Sequence, residues 1–114
     1  MIAFVPGTSG REHDAAVCLQ SHMDIVNAQD RADYNPLTDG VEVRRRDGVL
    51  CAHGTSLGGD DGAGIATALA LMEEGENAPH PPTVLLFTND EETTTDGAIK
   101  LSSDALGENV KVGK

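Results

Sequence analysis

Apolar residues in this chain come in short blocks, and the spacing inside each block predicts the element it forms. Ile2 to Val5 reads as a short strand closed by Pro6-Gly7, and the polar run Thr8 to Asp14 supplies turn residues. Ala15 to Gln20 is a compact, nearly continuous apolar run, the pattern of a strand buried on both faces as parallel sheets require. Ser21-His22-Met23-Asp24 sits at its C-terminal end. Asn27 to Gly40 is polar, with Asn35-Pro36 and Asp39-Gly40 as turn signals, and predicts a surface loop. Val41 to Arg46 and Val49 to Ala52 flank Asp47-Gly48, a strong hairpin turn, so a β-ribbon is expected there.

Beyond the ribbon the period changes. Ile65, Leu69 and Met72 repeat at helical spacing, which predicts a helix from about Gly62 to Glu74, with Asp60 or Asp61 as its N-cap and Gly75 as its stop. A Pro-rich connection, Pro79 to Pro82, leads to Thr83 to Thr88, whose Val-Leu-Leu-Phe centre predicts a second buried strand. Asp90-Glu91-Glu92 comes directly after it, and Asp96 to Leu106 predicts another helix capped by Asp96. Strand, loop and helix in alternation predict an α/β domain with a largely parallel sheet flanked by helices. Residues 1–114 show no internal repeat and no boundary to a second domain. In such sheets the binding crevice lies outside the carboxyl ends of the strands, where His22, Asp60 and the acids Asp90 to Glu92 all fall.

Composition narrows the partners. A formal net charge of -11 opposes a nucleic-acid backbone or an anionic membrane surface, and cations are its natural complement. No run approaches the ~18 apolar residues of a membrane span. Cys18 and Cys51 form no C-x-x-C pair and lie in apolar runs, so they are expected as reduced core residues of a cytoplasmic protein.

The stretch Gly54 to Gly64, Gly-Thr-Ser-Leu-Gly-Gly-Asp-Asp-Gly-Ala-Gly, is poor packing material and asks for a chemical explanation. A phosphate cradle fails: no lysine stands at the P-loop position, Gly62-x-Gly64 lacks the third glycine of a dinucleotide fingerprint, and Asp60-Asp61 would repel the anion. A divalent-metal site needs imidazole and carboxylate ligands on a rigid scaffold. Acids converging with a histidine at one sheet edge would repel one another without a cation. Period-2 spacing places His22 and Asp24 on one side of an extended segment, where the acid can orient the imidazole. Asp61 reads better as the helix cap than as a ligand. His13, His53 and His80 read as structural or solvent-facing, and Arg44-Arg45-Arg46 as a solvated face.

Three stretches in order, Ala16 to Val26, Gly54 to Gly62 and Asp90 to Ala98, resemble the aminoacyl-histidine (Xaa-His) dipeptidase family of the di-zinc aminopeptidase and aminoacylase group. The likeness runs from about Phe4 to Leu101. It implies a zinc-dependent exopeptidase-like catalytic domain that hydrolyses the amide bond of Xaa-His dipeptides by a water activated between two zinc ions. By the same resemblance His22 ligates one zinc, Asp24 steadies His22, Asp60 bridges the metals, Glu91 is the general base, and Glu92 ligates the second zinc. A small peptide is the implied substrate, and homodimers through an inserted domain are common in the family. Thr94 departs from the pattern, standing where the family usually has glycine. A further aspartate, a late histidine and the inserted domain do not occur before Lys114. The chain is therefore expected to be part of a catalytic domain that by itself binds zinc weakly and turns over dipeptides poorly or not at all. An aminoacylase-type amide hydrolase and a non-enzymatic binding or regulatory module that keeps the fold are the alternatives.

Overall fold

Among the described residues Thr83 to Thr88 is the one strand buried along its whole length, and the domain is assembled around it. The computed structural model describes residues 1–107. In chain order the elements are β1 (Ile2–Val5), β2 (Val17–His22), β3 (Val43–Arg46), β4 (Val49–Ala52), α1 (Gly59–Glu74), β5 (Thr83–Thr88), α2 (Glu91–Thr94) and α3 (Asp96–Ile99). Two short 3₁₀ turns, Gly75–Asn77 and Ser103–Leu106, complete the set.

β5 lies between β1 and β2 in a three-stranded sheet. It pairs in parallel with β2, which sets His22 opposite Thr88, and antiparallel with β1. The α/β class holds, with a sheet that is mixed. Alternation along β5 supplies both cores. Leu85 and Phe87 pack with Ala68 of α1, with Ala3, Val5, Leu19 and Ile65 around them. Val84 and Leu86 point the other way onto Leu106, joined by Ile2, Cys18 and Leu101. A side chain buried on each face is what a continuous apolar strand needs.

Three expectations are corrected. β2 begins at Val17 and ends on His22, and its Val17 and Gln20 are exposed, because β2 is an edge strand among the described residues. The ribbon's first strand starts at Val43, and Val41 stays outside it. The helix expected over Asp96 to Leu106 is broken into α3 and the 3₁₀ turn at Ser103–Leu106. Ser102 explains the break: its side chain accepts the Asp104 N–H and starts a new turn, the local competition by which serine interrupts helices. Ile99, inside the expected helix, is 72% exposed, so packing does not hold the helix together there.

The ribbon turn behaves as Asp-Gly predicts, with φ of 50° at Asp47 and 83° at Gly48, the left-handed pair of a tight hairpin. Cys18 and Cys51 are free thiols. His80 is buried and structural: its carbonyl accepts from the Thr8 N–H and hydroxyl, its own N–H donates to that hydroxyl, and its ring bonds the Pro81 carbonyl. These bonds pin the β1–β2 loop to the entrance of β5. His13 and His53 are exposed.

Candidate metal centre

Parallel pairing carries β2 and β5 to a common end, so the segments that leave the two strands are adjacent in space. The Met23 N–H continues the ladder to the Thr88 carbonyl at 3.0 Å. The Gln20 side chain donates to the Thr88 hydroxyl at 3.0 Å, which ties the two strand ends across the sheet. From this edge β2 presents His22 and Asp24, and the chain leaving β5 turns at Asn89-Asp90 into α2, which opens with Glu91 and Glu92.

Asp60 arrives from the start of α1. Asp60 and Asp61 have non-helical backbone angles, their shared peptide is cis, and the regular helix begins at Gly62. The Asp61 carboxylate accepts the Gly64 N–H at 3.0 Å, the contact an N-cap makes with the third helical residue. Asp61 thus does the capping, and Asp60 is free to turn toward His22. Gly64 permits the approach, since a Cβ there would lie 2.6 Å from the Ser21 hydroxyl of β2 and 2.5 Å from the Asp61 carboxylate.

All five expected residues meet. His22 Nε2 lies 2.9 Å from Asp60 Oδ1 and 3.9 Å from Glu91 Oε2. His22 Nδ1 bonds the main-chain carbonyl of Asp24 at 2.9 Å, while the Asp24 carboxylate stands 3.7 Å away. That carboxylate accepts the N–H of Glu91 at 3.2 Å and of Glu92 at 3.1 Å. One nitrogen of His22 and one carboxylate oxygen each from Asp60 and Glu92 lie within 4.8 Å of one another. Beside them a cleft of about 320 Å³ runs between Ile25, Val26 and Leu57, with Asp60 and Glu92 in its wall.

The donor set fits a divalent cation. A carbonyl accepts only, so Nδ1 must carry the proton, and neutral His22 then aims the lone pair of Nε2 at the Asp60 carboxylate. Two acceptors face each other there unless a proton or a cation lies between them. Burial pushes the His22 pKa down, but the bonds to Asp60 and to the Asp24 carbonyl, with the charge of Glu91, raise it above the ordinary 6.5 on balance. Burial likewise pushes Asp24 up, yet the N–H groups of Glu92 and Glu91 hold it below the usual carboxylate value. Imidazole with carboxylates is the ligand chemistry of zinc and similar ions.

Other contributors were not read from the sequence. Gly97 lets α3 pass against Asn89, whose backbone a Cβ at 97 would strike. Thr95, with φ of 55°, and Asp90, with φ of 59°, bound α2 in left-handed conformations. Thr94 has no positive φ, so the residue that replaces the usual glycine is not itself in the conformation glycine favours. The Asp96-Gly97 pair in the sequence was the available signal for a close approach, whereas nothing local marks Thr95.

An α/β scaffold here gathers an imidazole and acids at the shared end of two parallel strands, an arrangement able to hold a divalent cation. Residues 18–113 match peptidase family M20/M25/M40, and the chain belongs to that family. It is 37% identical over 102 residues to the cytosol non-specific dipeptidase of Escherichia coli (strain K12), covering 89% of this chain and 21% of that protein. Among solved structures it matches aminoacylhistidine dipeptidase from Vibrio alginolyticus with a TM-score of 0.85 and 32% identity, covering 93% of this chain and 22% of the other. Aminopeptidase PepT from Bacillus cereus matches with a TM-score of 0.66 and 30% identity, over 89% of this chain and 25% of that one. The chain spans about a fifth of the length of the curated relative it matches.

Proposed function

We propose that this chain forms part of the active site of a two-zinc dipeptidase that hydrolyses the amide bond of short peptides, Xaa-His dipeptides among them. The observation that carries the reading is the meeting of His22, Asp60 and Glu92 within 4.8 Å, with Glu91 beside them. His22 and Asp60 would hold one ion, Asp60 and Glu92 the other, and Asp60 would bridge. Bound there, the ions would supply Lewis acidity to the scissile carbonyl and lower the pKa of water.

The protein's own groups do the rest. Glu91 has its carboxylate 3.9 Å from Nε2 of His22, and in this reading it would take a proton from the attacking water and pass it to the leaving amine. The cleft along Ile25, Val26 and Leu57 gives the peptide an apolar wall next to the ligands. Likeness to an aminoacylhistidine dipeptidase supports the Xaa-His preference, and the relatives matched do not favour the aminoacylase-type alternative. The name of the Escherichia coli relative supports a cytoplasmic location, and no helix among the described residues is long and apolar enough to cross a membrane.

In the protein that carries this chain, Glu91→Gln keeps the shape of the side chain and removes the base. It should lower turnover of an Xaa-His dipeptide by about 10²- to 10⁴-fold with zinc content unchanged. Zinc lost in step with activity would contradict the role given to Glu91, and a wild-type protein without dipeptide turnover would contradict the function.

A further inference from the structure

The Asp24 carboxylate takes two hydrogen bonds from another element, and the imidazole two residues before it donates neither. Oδ1 accepts the backbone N–H of Glu91 at 3.2 Å and Oδ2 that of Glu92 at 3.1 Å. The same carboxylate is 3.7 Å from His22 Nδ1, beyond hydrogen-bond length, and that nitrogen is satisfied at 2.9 Å by the main-chain carbonyl of Asp24. We propose that Asp24 is the positioning residue of the Glu91-Glu92 pair, its carboxylate clamping both amides while its main chain, not its side chain, orients His22.

The need for such a clamp arises from the length of α2. Four residues make a single turn, too short to hold itself, because helix nucleation fixes several dihedrals for one hydrogen bond. Its first N–H groups have no intrahelical partner, and Asp90 at the cap position makes no side-chain cap bond. Asp24 reaches across from the end of the neighbouring strand and satisfies two of them at once. A bidentate grip by a charged acceptor fixes the orientation of the turn as well as its position. The Asp24 side chain is 20% exposed, so water competes poorly for those oxygens. Both acids of α2 are thereby referenced to β2, the strand that delivers His22.

Amide hydrogen exchange on the full chain tests this directly. In the wild type the Glu91 and Glu92 amides should be protected, although they open a helix of one turn. Asp24→Ala should speed exchange of both by about ten- to a hundredfold, the range of a lost hydrogen bond to a charged group. His22 should keep its proton on Nδ1 in ring nitrogen spectra, since the carbonyl at position 24 remains. Asp24→Asn, which preserves volume and one acceptor oxygen, guards against misfolding and should release one amide while the other stays slow. His22→Ala should leave both protected. Unprotected amides in the wild type, loss of protection in His22→Ala, or a His22 tautomer change in Asp24→Asn with both amides still slow would overturn the clamp. The consequence for catalysis rests on the dipeptidase reading, but the exchange readout does not, so absent turnover with protected amides would remove the function and leave the clamp.

Discussion

His22 and Asp24 differ in sign, and the metal-free chain should show it. His22 has a folded pKa above its ordinary 6.5, so its contribution to stability is full below that value and is lost as pH rises through the folded pKa. Asp24 has a folded pKa below its ordinary 3.8, so its contribution is full above that value and is lost as pH falls through the folded pKa. Denaturant midpoints of the zinc-free chain should accordingly be highest between these limits and decline on both sides. A midpoint that climbs steadily from about pH 6 to about pH 9 would contradict the protonated His22–Asp60 contact. Zinc held as proposed would reverse the high-pH side, because a cation and a proton would compete for Nε2 of His22, and zinc affinity should rise with pH. At this scale the sequence was informative about residue type. It put His22, Asp60 and the acids after β5 at one end of the sheet, and of Asp60 and Asp61, both offered as caps, it preferred Asp61, which accepts the Gly64 N–H. It did not reveal where the oxygens of Asp24 point, because spacing of two fixes the side of a strand and not the partner on another element.

The elements nearest the site carry backbone conformations that their side chains resist. Thr95 joins α2 to α3 at φ of 55°, a left-handed conformation that a β-branched residue adopts at a cost of about 1–3 kcal/mol. Thr95→Gly should raise the unfolding free energy by up to about 1 kcal/mol, the strain relieved less the extra entropy of glycine in the unfolded chain. Denaturant unfolding of the two proteins measures it, and a variant less stable than wild type would show that Thr95 is held by contacts worth more than the strain. Elements that tertiary packing buries were the legible ones: β5 matched Thr83 to Thr88 at both ends, and the Asp47-Gly48 turn adopted the conformation its residues favour. Legibility failed where local chemistry competed with the apolar pattern. Ser102 divided a stretch that reads as one helix, and Gln20 ended up exposed because β2 lies at an edge of the sheet among the described residues.

On the scale of the whole molecule, acidity and site are connected. A chain of net charge -11 that turns the carboxylates of Asp60, Glu91 and Glu92 toward one histidine stores repulsion that a divalent cation relieves. Strand order was the feature least accessible from the sequence. The pattern predicted strands and helices in alternation, but the antiparallel addition of β1 depends on pairings between residues far apart in the chain, such as Phe4 with Val84. The central claim, that His22, Asp60 and Glu92 make a cation site, is most directly tested by thermal or denaturant unfolding of the chain and of Asp60→Ala, each with and without zinc. Zinc at about 100 times its dissociation constant for the wild type should stabilise the wild type by about 2.7 kcal/mol and Asp60→Ala by almost nothing, since in the proposed site Asp60 would serve both ions. Equal stabilisation of the two proteins, or none of the wild type at any zinc concentration, would contradict it.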